Sequence, residues 1–192
     1  MAKQKYIIAH CLETPPNLSI NREQLKVWHM GPKDLENNKV KYLGKVYNNR
    51  DELPVHEIDG RSINAMHGNG WDRLGYSVLF HRNGKHDIIT PYDDDDFIEA
   101  NEMTWGCAGI NAVSRHFGLA GGLGAKRDDD FFDHFTDEQF LAVKDWLKVE
   151  LAKHPDVLVG GHNDFTNGKD CPGFQVYDLM DLYGMKQYAY QR

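Results

Sequence analysis

The segment "KYIIAHCLETPPN", residues 5–17, predicts a buried strand of the fold and the loop that follows it. Its first half is short, apolar and partly β-branched, and a turn-rich stretch with two prolines follows directly. This combination is typical of a buried strand that ends at a loop. The strand is predicted to end at His10, so the sequence places an imidazole at the carboxyl edge of a sheet.

Two further segments have the apolar spacing and the boundary residues of helices. The first, "REQLKVWHM" at residues 22–30, is predicted to be capped by Ser19 or Asn21 and to end at the Gly-Pro pair that follows. The second, residues 136–154, begins with a capping-box signature and continues with apolar residues at helical spacing. This second segment is therefore predicted to form the longest helix.

The remaining strands are predicted from short apolar segments. "GYSVLFHRNGKHDIIT" indicates a hairpin in which Asn83 and Gly84 form a two-residue type I′ turn. "MTWGCAGINAV", residues 103–113, is interpreted as another buried strand, and "DVLVGGH" as a short strand that ends at His162. Because strands and helices alternate, we predict an α/β fold in which helices flank a central mixed β-sheet.

The length of the chain bounds its domain organisation. With 192 residues, the chain is long enough for one domain with a substantial core, and we expect a single domain over residues 1–192. Residues 32–66 are polar and turn-rich apart from the candidate strand "VKYLGKVY", and we interpret them as an insertion. The tail after about residue 175 is predicted to be a short helix followed by a frayed end.

The charge of the chain excludes some classes of partner. A formal net charge of -7 argues against a protein whose main task is to bind nucleic acid or an anionic membrane. The amino-terminal apolar run has about four residues, whereas the core of a signal peptide has roughly 7–15. We therefore expect synthesis in the cytoplasm, no nucleic-acid or membrane partner, and a monomer.

The three widely spaced cysteines indicate reduced thiols or metal ligands rather than a disulfide framework.

Candidate metal ligands fall at the predicted strand ends and in the loop "GHNDFTNGKDCPGF". His10, His162 and Cys171 have the composition of a zinc site that keeps its fourth position open for water. Lys169 lies two residues before Cys171, where its ammonium can stabilise an oxyanion. Because the chain has 10 histidines, spacing alone favours the alternative of a surface histidine, a buried thiol and a solvated lysine.

Four segments taken together resemble one enzyme family. "IIAHCLETPP", "LKVWHM", "NGWDRLGYSVLFHRNGK" and "GHNDFTNGKDCPGF" are similar, in order and style, to the zinc-dependent N-acetylmuramoyl-L-alanine amidases, in particular the phage lysozymes of amidase type, which are related to peptidoglycan recognition proteins. The resemblance covers roughly residues 6–30, 67–124 and 136–174. It implies Zn²⁺ held by three ligands and a catalytic pair at the matching positions: His10, His162 and Cys171, and Tyr76 with Lys169.

The resemblance also implies a reaction and a substrate. The family cleaves the amide between the lactyl group of N-acetylmuramic acid and L-alanine of the stem peptide, so we expect peptidoglycan as the substrate. An endolysin of this type waits in the cytoplasm and reaches the wall through a separately made membrane pore. The family usually has "GYH" where this chain has Gly75, Tyr76 and Ser77, and the insertion is longer than expected. These departures bear on substrate fit more than on the chemistry.

Two alternatives stay open at this stage. One is a cytosolic amidase that trims recycled wall fragments, and the other is a peptidoglycan-binding module without catalysis. Non-catalytic relatives typically lose the cysteine ligand, whereas Cys171, Tyr76 and Lys169 are all present here, which favours hydrolysis. Some phage amidases also bind the RNA polymerase of their phage, and nothing in this sequence decides that point.

Overall fold

The computed structural model describes residues 1–54, 57–58 and 60–191 of the chain. In chain order the strands are β1 Ala2–Lys3, β2 Tyr6–Cys11, β3 Lys33–Asp34, β4 Val40–Tyr42, β5 Lys45–Tyr47, β6 Glu57–Ile58, β7 Arg61–Ser62, β8 Val78–Phe80, β9 His86–Ile88, β10 Phe97–Ile98, β11 Ser114–Leu119 and β12 Leu158–Gly161. The α-helices are α1 Arg22–Met30, α2 Phe131–His134, α3 Asp137–Lys153, α4 His162–Phe165 and α5 Val176–Leu182. Among the residues described, no helix combines the length and apolar character needed to cross a membrane.

The chain divides into two compact units. One, which we call the sheet unit, comprises Met1–Ser19 and Tyr76–Arg192, and the other, the hairpin unit, comprises Ile20–Gly75. The predicted insertion at residues 32–66 falls inside the hairpin unit. Each unit has its own cluster of buried apolar side chains.

The sheet unit is built on a five-stranded sheet with the order β12-β2-β11-β8-β9. Strands β12, β2, β11 and β8 run parallel to one another, and β9 pairs antiparallel with β8. Helices α3 and α5 contribute buried residues to the same core as the strands. The predicted α/β fold with a central mixed sheet and flanking helices is confirmed.

The side chains of β2 alternate between the two faces of the sheet. Ile7, Ala9 and Cys11 belong to the main apolar cluster together with residues of α3 and α5. Successive side chains of a strand point to opposite faces, so Ile8 and His10 lie on the other face. Ile8 is buried as well, so both faces of β2 are covered, as expected for a central parallel strand.

Helix α3 forms because its local signals agree with its burial. Thr136 and Gln139 form the predicted capping box, and the apolar stripe of Phe140, Val143 and Leu147 is buried. Burying such a side chain fully contributes about 1.5–3 kcal/mol. The prediction of the longest helix at this segment is confirmed.

The predicted strand at residues 103–113 is wrong. This segment forms turns and a short 3₁₀ helix, Asn111–Val113, and the strand β11 begins only at Ser114. The Asn111 side chain accepts a hydrogen bond from the backbone N–H of Cys107, and Gly109 has a positive φ of 91°. Gly and Asn support such turns, which outweigh the apolar character of the segment. Cys107 therefore lies in a buried turn and not in a strand.

The hairpin between β8 and β9 is confirmed, but its predicted turn is wrong. The backbone N–H of Gly84 donates to the carbonyl of His81, so Arg82 and Asn83 are the central residues of the turn. Gly84 then takes the positive φ of 78° that a three-residue hairpin loop requires.

The carboxyl-terminal tail contains the predicted short helix, but the predicted fraying is wrong. After α5 the chain returns to the sheet, where Ala189 forms a parallel bridge with Val159. The backbone N–H of Tyr190 donates to the carbonyl of Val159 at 2.8 Å. These bonds cover the open edge of β12, which explains why Ala189 is buried.

The hairpin unit combines α1 with short strands. Helix α1 is capped by the Asn21 side chain, which accepts from the backbone N–H of Gln24, and it ends before Gly31 as predicted. The candidate strand "VKYLGKVY" is the hairpin of β4 and β5. Five buried apolar side chains of this unit form a cluster: Val40, Tyr42, Leu53, Ile63 and Met66.

Candidate active site

The candidate site lies at the carboxyl edge of the parallel strands. β12 pairs with β2 so that Gly161 lies opposite Ala9, and His10 and His162 each follow the paired residue directly. His10 stands near the end of β2, and His162 is the first residue of α4 rather than the last residue of the strand. Parallel strands bring their carboxyl ends to one edge, where open α/β sheets bind ligands.

Cys171 reaches the same edge through a tight turn. The backbone N–H of Gly173 donates to the carbonyl of Asp170 at 2.7 Å, so Cys171 and Pro172 are the central residues of this turn. The carbonyl of Cys171 accepts from the backbone N–H of Asn163 at 2.7 Å, which ties the turn to α4. The loop that carries Cys171 is thereby held against the helix that begins with His162.

The three predicted ligands lie close enough to share one metal ion. One ligand atom from each of His10, His162 and Cys171 lies within 4.8 Å of the others. The Nδ1 of His10 is 3.6 Å from the Sγ of Cys171. In a tetrahedral zinc site, with Zn–N about 2.0–2.1 Å and Zn–S about 2.3 Å, a nitrogen and a sulfur ligand are about 3.6 Å apart. The donor set and this spacing fit zinc.

The electrostatics around His162 favour its neutral form. Burial, together with the charge of Lys169, lowers the pKa of His162 to about 4, so its imidazole is neutral at pH 7. A side-chain hydrogen bond with Cys11 and burial raise the pKa of the Cys171 thiol. The backbone N–H of Cys11 donates to the Cys171 Sγ at 3.3 Å, which favours the thiolate once a cation is present. A cation bound here would therefore promote the ionisation of Cys171.

Tyr76 lies beside the predicted ligands. Its ring centroid is 5.2 Å from that of His10. A Cβ added to Gly118 would approach the Tyr76 ring to 3.1 Å, so the absence of a side chain at Gly118 leaves room for the tyrosine. Burial raises the pKa of Tyr76 well above its ordinary value, and Cys171, when it is ionised, raises it further, so the phenol keeps its proton.

Lys169 is exposed on the loop between α4 and Cys171. Its ammonium is close enough to lower the pKa of His162. The structure thus brings all five sequence-predicted residues to one edge of the sheet: His10, Tyr76, His162, Lys169 and Cys171.

Sequence reasoning missed a sixth residue at this edge, His116. Its Nδ1 lies 3.0 Å from the Nε2 of His10, and both side chains are buried. Burial and the neighbouring His162 lower the pKa of His116 to about 3, so it is neutral. His116 lies in β11, the strand that the apolar pattern did not predict, so no signal in the sequence placed it near His10.

Of the comparisons with known proteins, the one with solved structures identifies the fold. No family model matches the sequence, and no curated protein matches it. Among solved structures, the chain is similar to the N-acetylmuramoyl-L-alanine amidase LysC from Clostridium intestinale URNW, with a TM-score of 0.57 and 13% identity, over 96% of this chain and 88% of that one. The endolysin amidase LysCS from the same organism gives the same TM-score and identity, over 96% of this chain and 86% of that one.

A third solved structure extends this likeness to another source. The Ph2119 endolysin from Thermus scotoductus MAT2119 bacteriophage Ph2119 has a TM-score of 0.55 and 15% identity, over 94% of this chain and 85% of that one. At such low identity the likeness shows a shared fold. The chain therefore has the fold of solved amidase endolysins, with a His-His-Cys cluster at the carboxyl edge of its sheet.

Proposed function

We propose that this chain is a zinc-dependent N-acetylmuramoyl-L-alanine amidase of endolysin type, which cleaves the amide between N-acetylmuramic acid and L-alanine in peptidoglycan. The observation that supports it most strongly is the cluster of His10, His162 and Cys171, whose ligand atoms lie within 4.8 Å of one another. The fold shared with solved amidase endolysins supports the same reaction class. We further propose that residues 1–192 act as one amidase domain in which residues 32–66 are an insertion.

His10, His162 and Cys171 would hold the metal through two neutral imidazoles and one thiolate. Bound zinc would supply Lewis acidity and lower the pKa of a coordinated water from its value in bulk water to about 7. His10 offers Nδ1, which faces Cys171, and the Cys11 backbone N–H supports the negative charge on the Cys171 sulfur. With three protein ligands, the fourth position is left for the reacting groups.

Lys169 and Tyr76 act on the reacting amide. Negative charge develops on the carbonyl oxygen as water attacks, and the Lys169 ammonium, on the exposed loop beside His162, stabilises that charge. Tyr76 keeps the proton on Oη because its pKa is raised, so the phenol is a hydrogen-bond donor. It either orients the attacking water or passes a proton toward the leaving amine.

The charge arrangement favours hydrolysis over binding alone. A module that only recognises muropeptides needs no cluster of two histidines and a thiol, whereas such a cluster suits a metal site with an open position. A cytosolic amidase that trims soluble wall fragments uses the same chemistry, so the size of the substrate separates it from an endolysin. We propose action on the intact wall after release from the cytoplasm through a separate pore.

Digestion of purified peptidoglycan sacculi by the full chain with zinc tests this function. We expect new alanine amino termini and no new reducing sugar ends, together with clearing of the intact sacculi. Cleavage of soluble muropeptides alone would identify the recycling enzyme. New reducing ends without new amino termini would identify a glycosidase and overturn the amidase proposal, and binding without any cleavage would identify a recognition module.

A further inference from the structure

The side chain of His10 is held by a second histidine that belongs to neither the ligand set nor the catalytic pair. The Nε2 of His10 lies 3.0 Å from the Nδ1 of His116, within hydrogen-bond distance. His116 has an exposed fraction of 0%, and His10 of 2%. Water therefore does not compete for this hydrogen bond, which makes it stronger than an exposed one.

The sheet register explains how the two rings meet. β11 pairs in parallel with β2, with Gly118 opposite His10 and His116 opposite Ile8. Gly118 has no side chain, and the rings of His116 and Tyr76 each have their centroid 5.2 Å from that of His10. Parallel pairing of buried strands thus fixes the separation of the two histidines without help from a flexible loop.

The positions of the protons follow from the two nitrogens of His10. Its Nδ1 faces the Cys171 Sγ, so Nδ1 is the nitrogen that offers a lone pair to the metal. A neutral imidazole has one proton, which must then be on Nε2, where only an acceptor suits it. The Nδ1 of His116 is that acceptor when His116 has its own proton on Nε2, a buried nitrogen with no hydrogen-bond partner among the described residues.

We propose that His116 is a positioning residue for the metal site: it accepts the Nε2–H of His10 and so fixes the tautomer and the ring orientation that direct Nδ1 of His10 to the zinc ion. This inference rests on the proposed function, because it assumes that zinc binds at His10, His162 and Cys171. A ligating histidine usually donates its second N–H to a carboxylate, a carbonyl or a water. Here the acceptor is a neutral imidazole, which adds no negative charge beside the metal.

The neutrality of the acceptor determines the choice of variants. In His116→Asn the amide Oδ1 stands where the imidazole Nδ1 stood, so it can accept the same hydrogen bond and is also neutral. His116→Leu fills more of the space and removes the acceptor. If packing alone mattered, leucine would be the better replacement, and if the hydrogen bond matters, asparagine is. His154→Leu is the matched control, because His154 is also buried and bonded through Nδ1, to Asp96 at 2.8 Å.

Zinc affinity, measured by competition with a chelating indicator, is the first readout. We expect His116→Leu to bind zinc about 10–100-fold more weakly than the unmodified chain, as is typical when such a partner is lost. His116→Asn should recover most of that loss, and His154→Leu should bind as the unmodified chain does. Circular dichroism of each variant checks that the fold is retained.

The second readout uses the unmodified chain and does not depend on how any variant folds. ¹⁵N NMR of the zinc-loaded protein should show His10 and His116 both protonated on Nε2, with His10 bound through Nδ1. A zinc-loaded protein in which His10 keeps its proton on Nδ1 would overturn the inference.

The outcomes separate this inference from the proposed function. If Cys171→Ser abolishes zinc binding but His116→Leu binds as tightly as His154→Leu, the metal site stands and the role of His116 is refuted. Failure of His116→Asn to bind better than His116→Leu refutes it too. If Cys171→Ser binds zinc as the unmodified chain does, the proposed site and this inference both fall.

Discussion

The sheet unit and the hairpin unit are stabilised by different kinds of contact. The sheet unit depends on apolar burial, with Phe80, Phe117 and Leu147 almost fully buried between the sheet and α3. Among the described residues, the hairpin unit has a cluster of buried apolar side chains that is smaller than the main cluster of the sheet unit, and several of its loops meet at Arg50. The Arg50 guanidinium donates to both carboxylate oxygens of Asp34, at 2.9 and 3.0 Å, and to two backbone carbonyls.

This difference predicts which variants should change activity and which should change the stability of the fold. Apolar burial is non-directional and strong, so the sheet unit can hold polar histidines at its edge without depending on them for folding. The contacts of Arg50 in the hairpin unit depend instead on charge and on hydrogen-bond geometry. We therefore expect variants at the edge of the sheet to change chemistry, and variants of the hairpin unit to change stability.

The largest effect is expected for Cys171→Ser. A hydroxyl is a far poorer zinc ligand than a thiolate at neutral pH, so zinc affinity and hydrolysis should fall together by orders of magnitude. Elemental analysis and turnover on sacculi measure the two losses. Cys107→Ser is the matched control, because Cys107 is buried in a turn and lies outside the cluster, and it should keep its zinc. Normal zinc content and turnover in Cys171→Ser would refute the proposed metal site at the edge of the sheet.

A smaller but still large effect is expected for Lys169→Ala. Loss of one donor to a developing oxyanion costs about 10²–10³-fold in turnover, and the exposed lysine contributes little to folding. Zinc content should stay stoichiometric, and the melting temperature should stay that of the unmodified chain. Lys126→Ala is the control, since Lys126 is an exposed lysine on a neighbouring loop, paired with Asp170 at 3.1 Å. Equal rates in the two variants would show that Lys169 has no part in the reaction.

In the hairpin unit, we expect low pH to reduce the stability of the fold because His29 is buried in its neutral form. Burial lowers the pKa of His29 from 6.5 to about 4, and its Nδ1 accepts from the backbone N–H of Gly75 at 3.1 Å. Below pH 6.5 the imidazole of His29 is protonated in the unfolded chain but stays neutral in the folded chain. The contribution of His29 to the free energy of unfolding is therefore complete above pH 6.5 and falls as the pH drops toward 4. The loss should reach about 3 kcal/mol.

Denaturant unfolding at several pH values measures this loss. His29→Asn keeps an acceptor for Gly75 but does not titrate, so the difference between it and the unmodified chain isolates His29 from the other histidines. Parallel curves for the two proteins across pH 4–7 would refute the role of His29 and weaken the contrast between the units.

The smallest effect is expected for Arg50→Ala. Its bonds to Asp34 and to the carbonyls of Asn64 and Met66 are partly exposed, so their loss should cost about 1–3 kcal/mol. Hydrogen exchange should accelerate around these three residues, while zinc content stays unchanged. Arg61→Ala, at an exposed position of the same unit, should have no such effect. Unchanged exchange in Arg50→Ala would mean that the apolar cluster alone holds this unit.

Much of the fold was predictable because the signals that specify it are local. The strand at His10, the capped helices α1 and α3 and the strand before His162 each have their apolar spacing and boundary residues within one short window. Strand β11, which stands between β2 and β8, was not predictable, because Arg115 and His116 interrupt its apolar pattern. Both are buried nonetheless.

Tertiary partners explain why those two polar residues can be buried. The Arg115 guanidinium lies 3.5 Å from the centre of the Tyr92 ring, and its Nε is 3.9 Å from a carboxylate oxygen of Glu150. His116 has the hydrogen bond with His10. These partners are distant in the sequence, so a reading of the local pattern could not supply them.

The residue types of the candidate site can be read from the amino-acid sequence: two histidines, a cysteine, a tyrosine and a lysine, each next to a predicted strand end or turn. The convergence of their functional groups follows only from the tertiary structure. Parallel pairing of β12 with β2 brings His162 beside His10, and the turn at Asp170–Gly173 returns Cys171 to them. The tertiary structure alone also placed His116 behind His10, because hydrogen bonds between strands far apart in the chain set that contact, and no local pattern encodes them.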